Sequence, residues 1–257
     1  MYRFQMVLLL TASLVVTGCG AAGAEGESAA AAPQATAQPS RCRQPRRVVV
    51  GIDFSGSYQL AREGLDQVAT LVEHAACPGD EWFLRAIEEN SYYPPAALRT
   101  VRFPALPLRP SERPELHLRR QYLRDLQQWQ VRAKAFATAR AQQAQDIRAL
   151  NAAPARATDI YGFLAKAGEL LVNTPQGTVP VVVMATDLVD TAGRDSAFDL
   201  QGAVVLVLAF EAEDPTVSVR DFWQDRLRRA NASTVHFRDV TERSFDVLDA
   251  LALGVSP

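Results

Sequence analysis

Short β-branched runs alternate with longer segments of helical periodicity over residues 46–253. The β-branched runs have no polar face, which is typical of strands buried on both sides in a parallel sheet. Parallel strands need crossover connections, so the alternation predicts an α/β, Rossmann-like three-layer sandwich: a mostly parallel six-stranded sheet with helices on both faces. The predicted strands are 46–53, 81–87, 98–103 (the weakest, at an edge), 179–185, 203–210 and 234–237.

The predicted helices are 58–75, 111–150, 158–172, 216–230 and 240–253. The second is a long inserted helix within a helical insertion at about 104–153, and Ser111 is its predicted start. Its apolar stripe comprises Tyr122, Leu126, Trp129, Ala133 and Phe136, which indicates packing rather than a ligand platform. Residues 109–150 carry nine Lys and Arg against four Asp and Glu. This basic surface is interpreted as a solvated face, with contact to anionic lipid or to a partner as the alternative.

The composition narrows the class of protein. The chain has 257 residues, 48% of them hydrophobic, and this apolar fraction excludes a disordered chain. The net charge of -2 argues against a nucleic-acid binder. Three cysteines are too few for a disulfide-built miniprotein.

The amino terminus has the pattern of an export signal. Arg3 precedes an apolar run from Phe4 to Val16, which is short for a permanent membrane helix. Val16-Thr17-Gly18-Cys19 resembles the lipobox of bacterial lipoproteins, in which the chain is cut before the cysteine and the thiol is lipidated. We therefore predict a signal peptide over 1–18 and a lipid on Cys19. The alternatives are an uncleaved anchor, or an ordinary signal peptide with a chance cysteine.

Residues 19–41 are predicted to be the lipid anchor and a flexible linker, because they are rich in Ala, Gly, Pro, Ser and Gln and lack large apolar side chains. The folded domain is assigned to 42–257. The predicted location is the bacterial cell envelope, lipid-anchored and extracytoplasmic. Gly20 follows Cys19 where an Asp would suggest inner-membrane retention, so the outer membrane is favoured if the cell is Gram-negative.

Cys42 and Cys77 remain for the folded part. Disulfides persist outside the cytoplasm, so a bond between these two is predicted, with two free buried thiols as the alternative. In the predicted fold the first helix returns to the sheet edge where the first strand begins, and this brings Cys77 near Cys42.

Two predicted strands end in Asp, at Asp53 and Asp187. In open parallel sheets, ligands bind beyond the carboxyl ends of the strands. Asp53 is followed by Ser55 and Ser57, and Gly56 between them gives the loop backbone freedom. Carboxylates and hydroxyls are the hard oxygen ligands that Mg²⁺ prefers.

This pattern resembles the von Willebrand factor A domain family and its metal-ion-dependent adhesion site. Asp53, Ser55 and Ser57 match the Asp-x-Ser-x-Ser of that family, Thr158 matches its Thr at the start of a later helix, and Asp187 matches its last Asp. The resemblance implies a Mg²⁺ site (or Mn²⁺ or Ca²⁺). Ser55 and Ser57 would ligate directly, and Thr158, Asp53 and Asp187 directly or through water.

In that family the metal keeps one open position, which an acidic side chain of a partner fills. The resemblance thus implies a protein or peptide partner that offers a carboxylate. The sequence departs from the family at Ala155-Arg156-Ala157, where Gly is frequent, and at Leu188, which replaces a Gly after the last Asp. Arg156 would repel the metal or pair with a bound carboxylate.

Two other functions are weighed. One is a structural envelope lipoprotein with a vestigial metal site. The other is a phosphate-handling enzyme centred on Asp53, because residues 50–54 also look like the first phosphate loop of actin-like ATPases. The sequence lacks a second Gly-rich phosphate loop, and Ser55 stands where an aspartyl phosphatase would need Asp, so no enzymatic activity is predicted. Asp159, Asp190 and Asp195 are interpreted as cap or surface carboxylates.

Overall fold

The structure is a computed structural model and describes residues 42, 44–56, 58, 60–110, 118–151, 154–193, 195–210 and 219–238. In chain order its strands and α-helices are β1 Arg46–Asp53, α1 Ala61–Ala75, β2 Glu81–Ile87, β3 Ala97–Arg102, α2 Arg119–Arg148, α3 Ile160–Val172, β4 Val179–Ala185, β5 Val204–Leu208, α4 Val219–Arg229 and β6 Thr234–Phe237. The predicted lipid site, Cys19, and the predicted helix over 240–253 lie outside the described residues.

The sheet order is β3-β2-β1-β4-β5-β6. Every pair is parallel except β2 with β3, which is antiparallel and lies at the edge. This is the doubly wound order, in which the chain reverses its direction of growth between β1 and β4. The predicted fold class and the edge position of the third strand are confirmed.

The central strands are buried on both sides because helices cover both faces. Val48 and Val50 pack with α1 and the carboxyl-terminal half of α2. Val49 lies on the opposite face and packs with α3 and α4. All three valines have no exposed surface, and burial of one such side chain stabilises the fold by about 1.5–3 kcal/mol.

Several boundaries differ from the sequence prediction. α1 begins at Ala61 rather than at Tyr58, and α3 begins at Ile160 rather than at Thr158, because in each case a loop with its own hydrogen bonds comes first. α2 is described from Arg119, and the predicted start at Ser111 lies outside the described residues. Pro114, which disfavours a helix interior, stands in that segment.

The long helix α2 runs antiparallel to α1. Arg148 forms ion pairs with Asp66 and Glu73 of α1, and the Phe136 ring contacts the Phe103 ring with centroids 5.9 Å apart. Trp129 is buried and donates its indole N–H to the carbonyl of Pro107 at 3.1 Å. Trp129 and Phe136 therefore pack as predicted, and the contacts described for α2 lie along α1 and residues 97–109.

A polar cluster fastens the amino-terminal edge of the sheet. Buried Asp80 accepts hydrogen bonds from the Arg46 backbone and guanidinium, from the Cys77 N–H and from the Trp82 indole. The predicted disulfide Cys42–Cys77 is present beside it, with Cα atoms 5.5 Å apart.

In the described part of the chain, none of the helices has both the length and the apolar character needed to cross a bilayer.

Candidate metal centre

Asp53 ends β1 at the switch point of the sheet, and its side chain has no exposed surface. One carboxylate oxygen, Oδ1, accepts the Ser55 N–H at 2.8 Å, and the other, Oδ2, accepts the Thr186 hydroxyl at 2.8 Å. Burial raises the pKa of Asp53, the two hydrogen bonds oppose that rise, and the negative charge of Asp187 adds to it. Asp53 is therefore an oriented carboxylate in a site where positive charge would be favoured.

Thr186 is a residue of the candidate site that the sequence analysis missed. It follows β4, is fully buried, and donates its hydroxyl to Asp53 while accepting the Leu188 N–H at 3.0 Å. Its position between β4 and Asp187 was the available signal, since the residues that follow neighbouring parallel strands lie side by side. Thr186 fixes the orientation of the Asp53 carboxylate.

Ser55 lies against the loop that leads to α3. It is buried and forms an isolated parallel bridge with Ala155. The Gly56 N–H donates to the Ala155 carbonyl at 3.3 Å, and the Ala155 N–H donates to the Phe54 carbonyl at 3.0 Å. The loop after β1 is thus joined to the segment that carries Thr158. The N-cap position of α1 is Leu60, so Ser55 does not cap that helix; Ser57 lies outside the described residues.

Thr158 is fully buried, and its Oγ1 has no hydrogen-bond partner among the described residues. Its backbone is held from the other side of the site. Its N–H donates to the Thr191 hydroxyl at 2.8 Å, and its carbonyl accepts the N–H groups of Thr191 and Ala192. The Thr158 segment is therefore clamped between the loops that follow β1 and β4.

An unsatisfied buried hydroxyl is costly, by about 1–3 kcal/mol. A bound water or ion is one of the explanations for such an unpaired group. A hydroxyl oxygen fits the oxygen-rich shell of Mg²⁺, as do the carboxylates of Asp53 and Asp187. The described members of the predicted set consequently fit a hard divalent cation.

Asp187 is half-buried and lies two residues after the end of β4, with Thr186 between them. Its Oδ1 accepts the Val189 N–H at 2.9 Å, which orients the carboxylate at the rim of the site. Within the described residues there is no cluster of three or more His, Cys, Asp or Glu suited to a metal. A cation here would face two carboxylates only, with hydroxyls and water as its other ligands.

Leu188 adopts the left-handed backbone conformation, with φ of 63°. Glycine reaches this region without strain, whereas a residue with a side chain such as Leu188 does not. Here the conformation is held by the Thr186 hydroxyl, which accepts the Leu188 N–H, and by the Trp223 indole, which donates to the Leu188 carbonyl at 2.9 Å. The side chain of Leu188 is buried in the core, so packing offsets the strain.

The structure confirms that Asp159, Asp190 and Asp195 are cap or surface carboxylates. Asp159 is the N-cap of α3 and accepts the Gly162 N–H at 2.8 Å. Asp190 accepts the Ile160 N–H at 2.8 Å, and Asp195 forms an ion pair with Arg226. Arg156 is exposed, and the contact described for it joins its backbone N–H to Glu89.

A cavity of about 520 Å³ is lined in part by Tyr92, Tyr93 and Asp159, the residue after Thr158. The two tyrosines are exposed and lie on the loop after β2. The buried guanidinium of Arg85 donates to the carbonyls of Ser91 and Tyr93, each at 2.7 Å, which holds that loop in place.

Comparisons with known proteins find no matching family model and no matching curated protein. Among solved structures, the chain is similar to a von Willebrand factor type A protein from Catenulispora acidiphila, at 15% identity and a TM-score of 0.47, over 81% of this chain and 42% of that one. It is also similar to the pilus adhesin SpaC from Lactobacillus rhamnosus GG, at 12% identity and a TM-score of 0.41, over 82% of this chain and 29% of that one.

A third similar structure is an aerotolerance-related membrane protein from Bacteroides fragilis, at 12% identity and a TM-score of 0.42, over 81% of this chain and 97% of that one. The chain thus spans less than half of the first two proteins and nearly all of the third. Similarities of this size do not assign a function. The fold class rests on the strand order of the chain itself.

Proposed function

We propose that this chain is a binding module of the bacterial cell envelope that captures a protein or peptide partner through a divalent metal. The ligands would be Asp53, Ser55, Ser57, Thr158 and Asp187. The observation that carries the proposal is the buried Thr158 hydroxyl, which has no partner among the described residues and stands on a segment clamped between the two Asp-bearing loops.

A divalent cation, when bound, would supply an electron-poor position that attracts a carboxylate of the partner. The side chains of this chain set the conditions for that contact. Thr186 and the Ser55 N–H hold the Asp53 carboxylate in one orientation. Asp187 stands at the half-buried rim, where a carboxylate of the partner would approach.

The test is calorimetric titration of the full chain with MgCl₂ and with MnCl₂. Wild type is expected to bind one equivalent, and Asp53→Ala and Asp187→Asn are expected to lose the signal. Asp225→Asn, an exposed carboxylate on α4, is the matched control and should bind like wild type. Equal binding by wild type and Asp53→Ala would remove the proposed centre, and no binding by wild type would support the alternative of a vestigial site in a structural lipoprotein.

The same proposal places the module on a membrane through a lipid on Cys19, and on the outer membrane if the cell is Gram-negative. It treats the module as non-enzymatic. Labelling of the expressed protein with a clickable palmitate analogue tests the anchor. Wild type should be labelled and retained with membranes, whereas Cys19→Ser should lose the label.

A further inference from the structure

Residues 118–135, which we call the α2 arm, extend beyond the body of the fold. α2 runs antiparallel to α1. Arg148 forms an ion pair with Asp66 near the start of α1, and Arg140 interacts electrostatically with Glu73 near the end of α1. The helix therefore continues past the last residue of α1 towards its own amino end. At 1.5 Å per residue, the stretch from Phe136 back to Arg119 is about 26 Å long.

One side of the arm is already occupied. Trp129 is buried against Pro107, and Arg109 stacks on the Trp129 ring at 5.7 Å, so the extended segment after β3 covers the apolar stripe. The opposite face of the arm is exposed. At about 100° per residue, one outward row consists of Arg120, Arg124, Gln127, Val131 and Lys134.

The α2 arm has a large excess of positive charge. It carries five basic residues, Arg119, Arg120, Arg124, Arg132 and Lys134, and a single acidic one, Asp125. Asp125 lies off the outward row. Exposed apolar side chains stand among the positive charges, since Leu123 is 54% exposed and Val131 is 65% exposed. A basic surface of this kind is attracted to anionic lipid, and each Lys or Arg near the bilayer surface contributes about 1 kcal/mol.

The arm lies at the same edge of the sheet as the segment through which the chain enters the fold. Phe103, which contacts Phe136, donates its N–H to the carbonyl of Asp80, and Asp80 binds the Cys77 N–H. Cys77 in turn is bonded to Cys42. The candidate metal centre lies at the opposite edge, beyond the carboxyl ends of β1 and β4.

We propose that the α2 arm docks on the phosphate-bearing headgroups of an anionic bilayer. Its outward row would supply the positive charge, and Leu123 and Val131 would enter the headgroup region. The linker predicted over residues 19–41 would reach about 24–29 Å as a flexible chain, which is short enough to keep this edge of the sheet near the bilayer. The metal edge would then face away from the membrane, towards a partner.

The test uses the full chain reconstituted into two kinds of vesicle. One kind contains phosphatidylcholine alone, and the other contains about 30% phosphatidylglycerol, which makes it anionic. An environment-sensitive fluorophore on Val131→Cys reports burial of the arm, and one on Ala141→Cys, on the part of α2 beside α1, is the control. A blue shift at position 131 is expected only with phosphatidylglycerol, and it should disappear in high salt, because surface charges are screened there.

The charge requirement is tested with Arg120→Gln/Arg124→Gln. The equilibrium constant for docking is expected to fall about five-fold for each charge removed. Arg228→Gln/Arg229→Gln, which removes two exposed charges from α4, should dock like wild type. Helicity measured by circular dichroism should be unchanged in both.

The proposal is overturned if position 131 gives no shift with phosphatidylglycerol, if the two double variants dock equally, or if positions 131 and 141 shift alike. Fluorescence anisotropy with a short oligonucleotide distinguishes a second kind of polyanion. Binding of the oligonucleotide that is lost in Arg120→Gln/Arg124→Gln, together with no vesicle docking, would assign the arm to nucleic acid instead.

Discussion

The hydroxyl of Thr186 donates a 2.8 Å hydrogen bond to Oδ2 of Asp53 across two adjacent parallel strands. Both residues are fully buried at the switch point of the sheet. The bond joins the two strand ends that carry the candidate metal ligands. It also means that the Asp53 carboxylate is oriented by the protein itself.

Thr186→Val should destabilise the fold by about 1–3 kcal/mol, because it leaves a buried carboxylate oxygen and the Leu188 N–H without their partner. Urea denaturation measures the change. Thr186→Ser keeps the hydroxyl and should lose less than the valine variant. Equal losses in the two variants would attribute the effect to packing rather than to the hydrogen bond.

Thr158→Val should stabilise the metal-free protein by about 1 kcal/mol, because it replaces a buried hydroxyl that has no partner among the described residues with a methyl of the same size. The same variant should lose the rise in unfolding temperature that wild type shows in excess MgCl₂. Ligand at a hundred times its Kd adds about 2.7 kcal/mol to wild type. Thr158→Ser serves as the control. Loss of stability in metal-free Thr158→Val would indicate a purely structural hydroxyl.

Asp53 makes the metal-free protein less stable as the pH rises. The pKa of Asp53 in the folded protein is raised above 3.8, the ordinary value that applies to the unfolded chain. At any pH between the two pKa values, the folded state therefore binds more protons than the unfolded state. The favourable contribution of Asp53 to the free energy of unfolding is complete below pH 3.8 and is lost as the pH rises through the raised pKa. The stability of wild type minus that of Asp53→Asn should therefore fall with rising pH in chelator, measured by urea denaturation at each pH.

Magnesium should cancel most of that fall, because the cation binds the deprotonated carboxylate. A difference between wild type and Asp53→Asn that does not change with pH would contradict the raised pKa. A fall that persists unchanged in excess MgCl₂ would contradict the metal centre.

Replacing both cysteines, as in Cys42→Ser/Cys77→Ser, should lower the free energy of unfolding by roughly 3–4 kcal/mol. The bond closes a loop with a sequence separation of 35, which restricts the unfolded chain. Thermal unfolding of the oxidised wild type with and without reductant gives the same comparison. Magnesium binding should survive, since the disulfide and the candidate centre lie at opposite edges of the sheet.

The alternation of β-branched runs and helical patterns was sufficient to predict the sheet, its edge strand and both helical layers. Hydrophobic periodicity reports directly which faces are buried, so Val48, Val49 and Val50 identified β1 as a central strand. The same apolar runs predicted where β1 and β4 end, and therefore that Asp53 and Asp187 lie at the carboxyl edge of the sheet. Helix starts at Ala61 and Ile160 were missed because loops with their own hydrogen bonds replaced the first predicted turns.

The sequence by itself determined the fold class and the types of side chain that reach the carboxyl edge of the sheet, since both follow from local periodicity and residue chemistry. Only the tertiary structure decided that Thr186 orients Asp53, that the Thr158 hydroxyl lacks a described partner, and that Leu188 holds a left-handed backbone. It also decided that α2 runs antiparallel along α1. These are relations between residues far apart in the chain, and they depend on how distant segments pack, which no local pattern encodes.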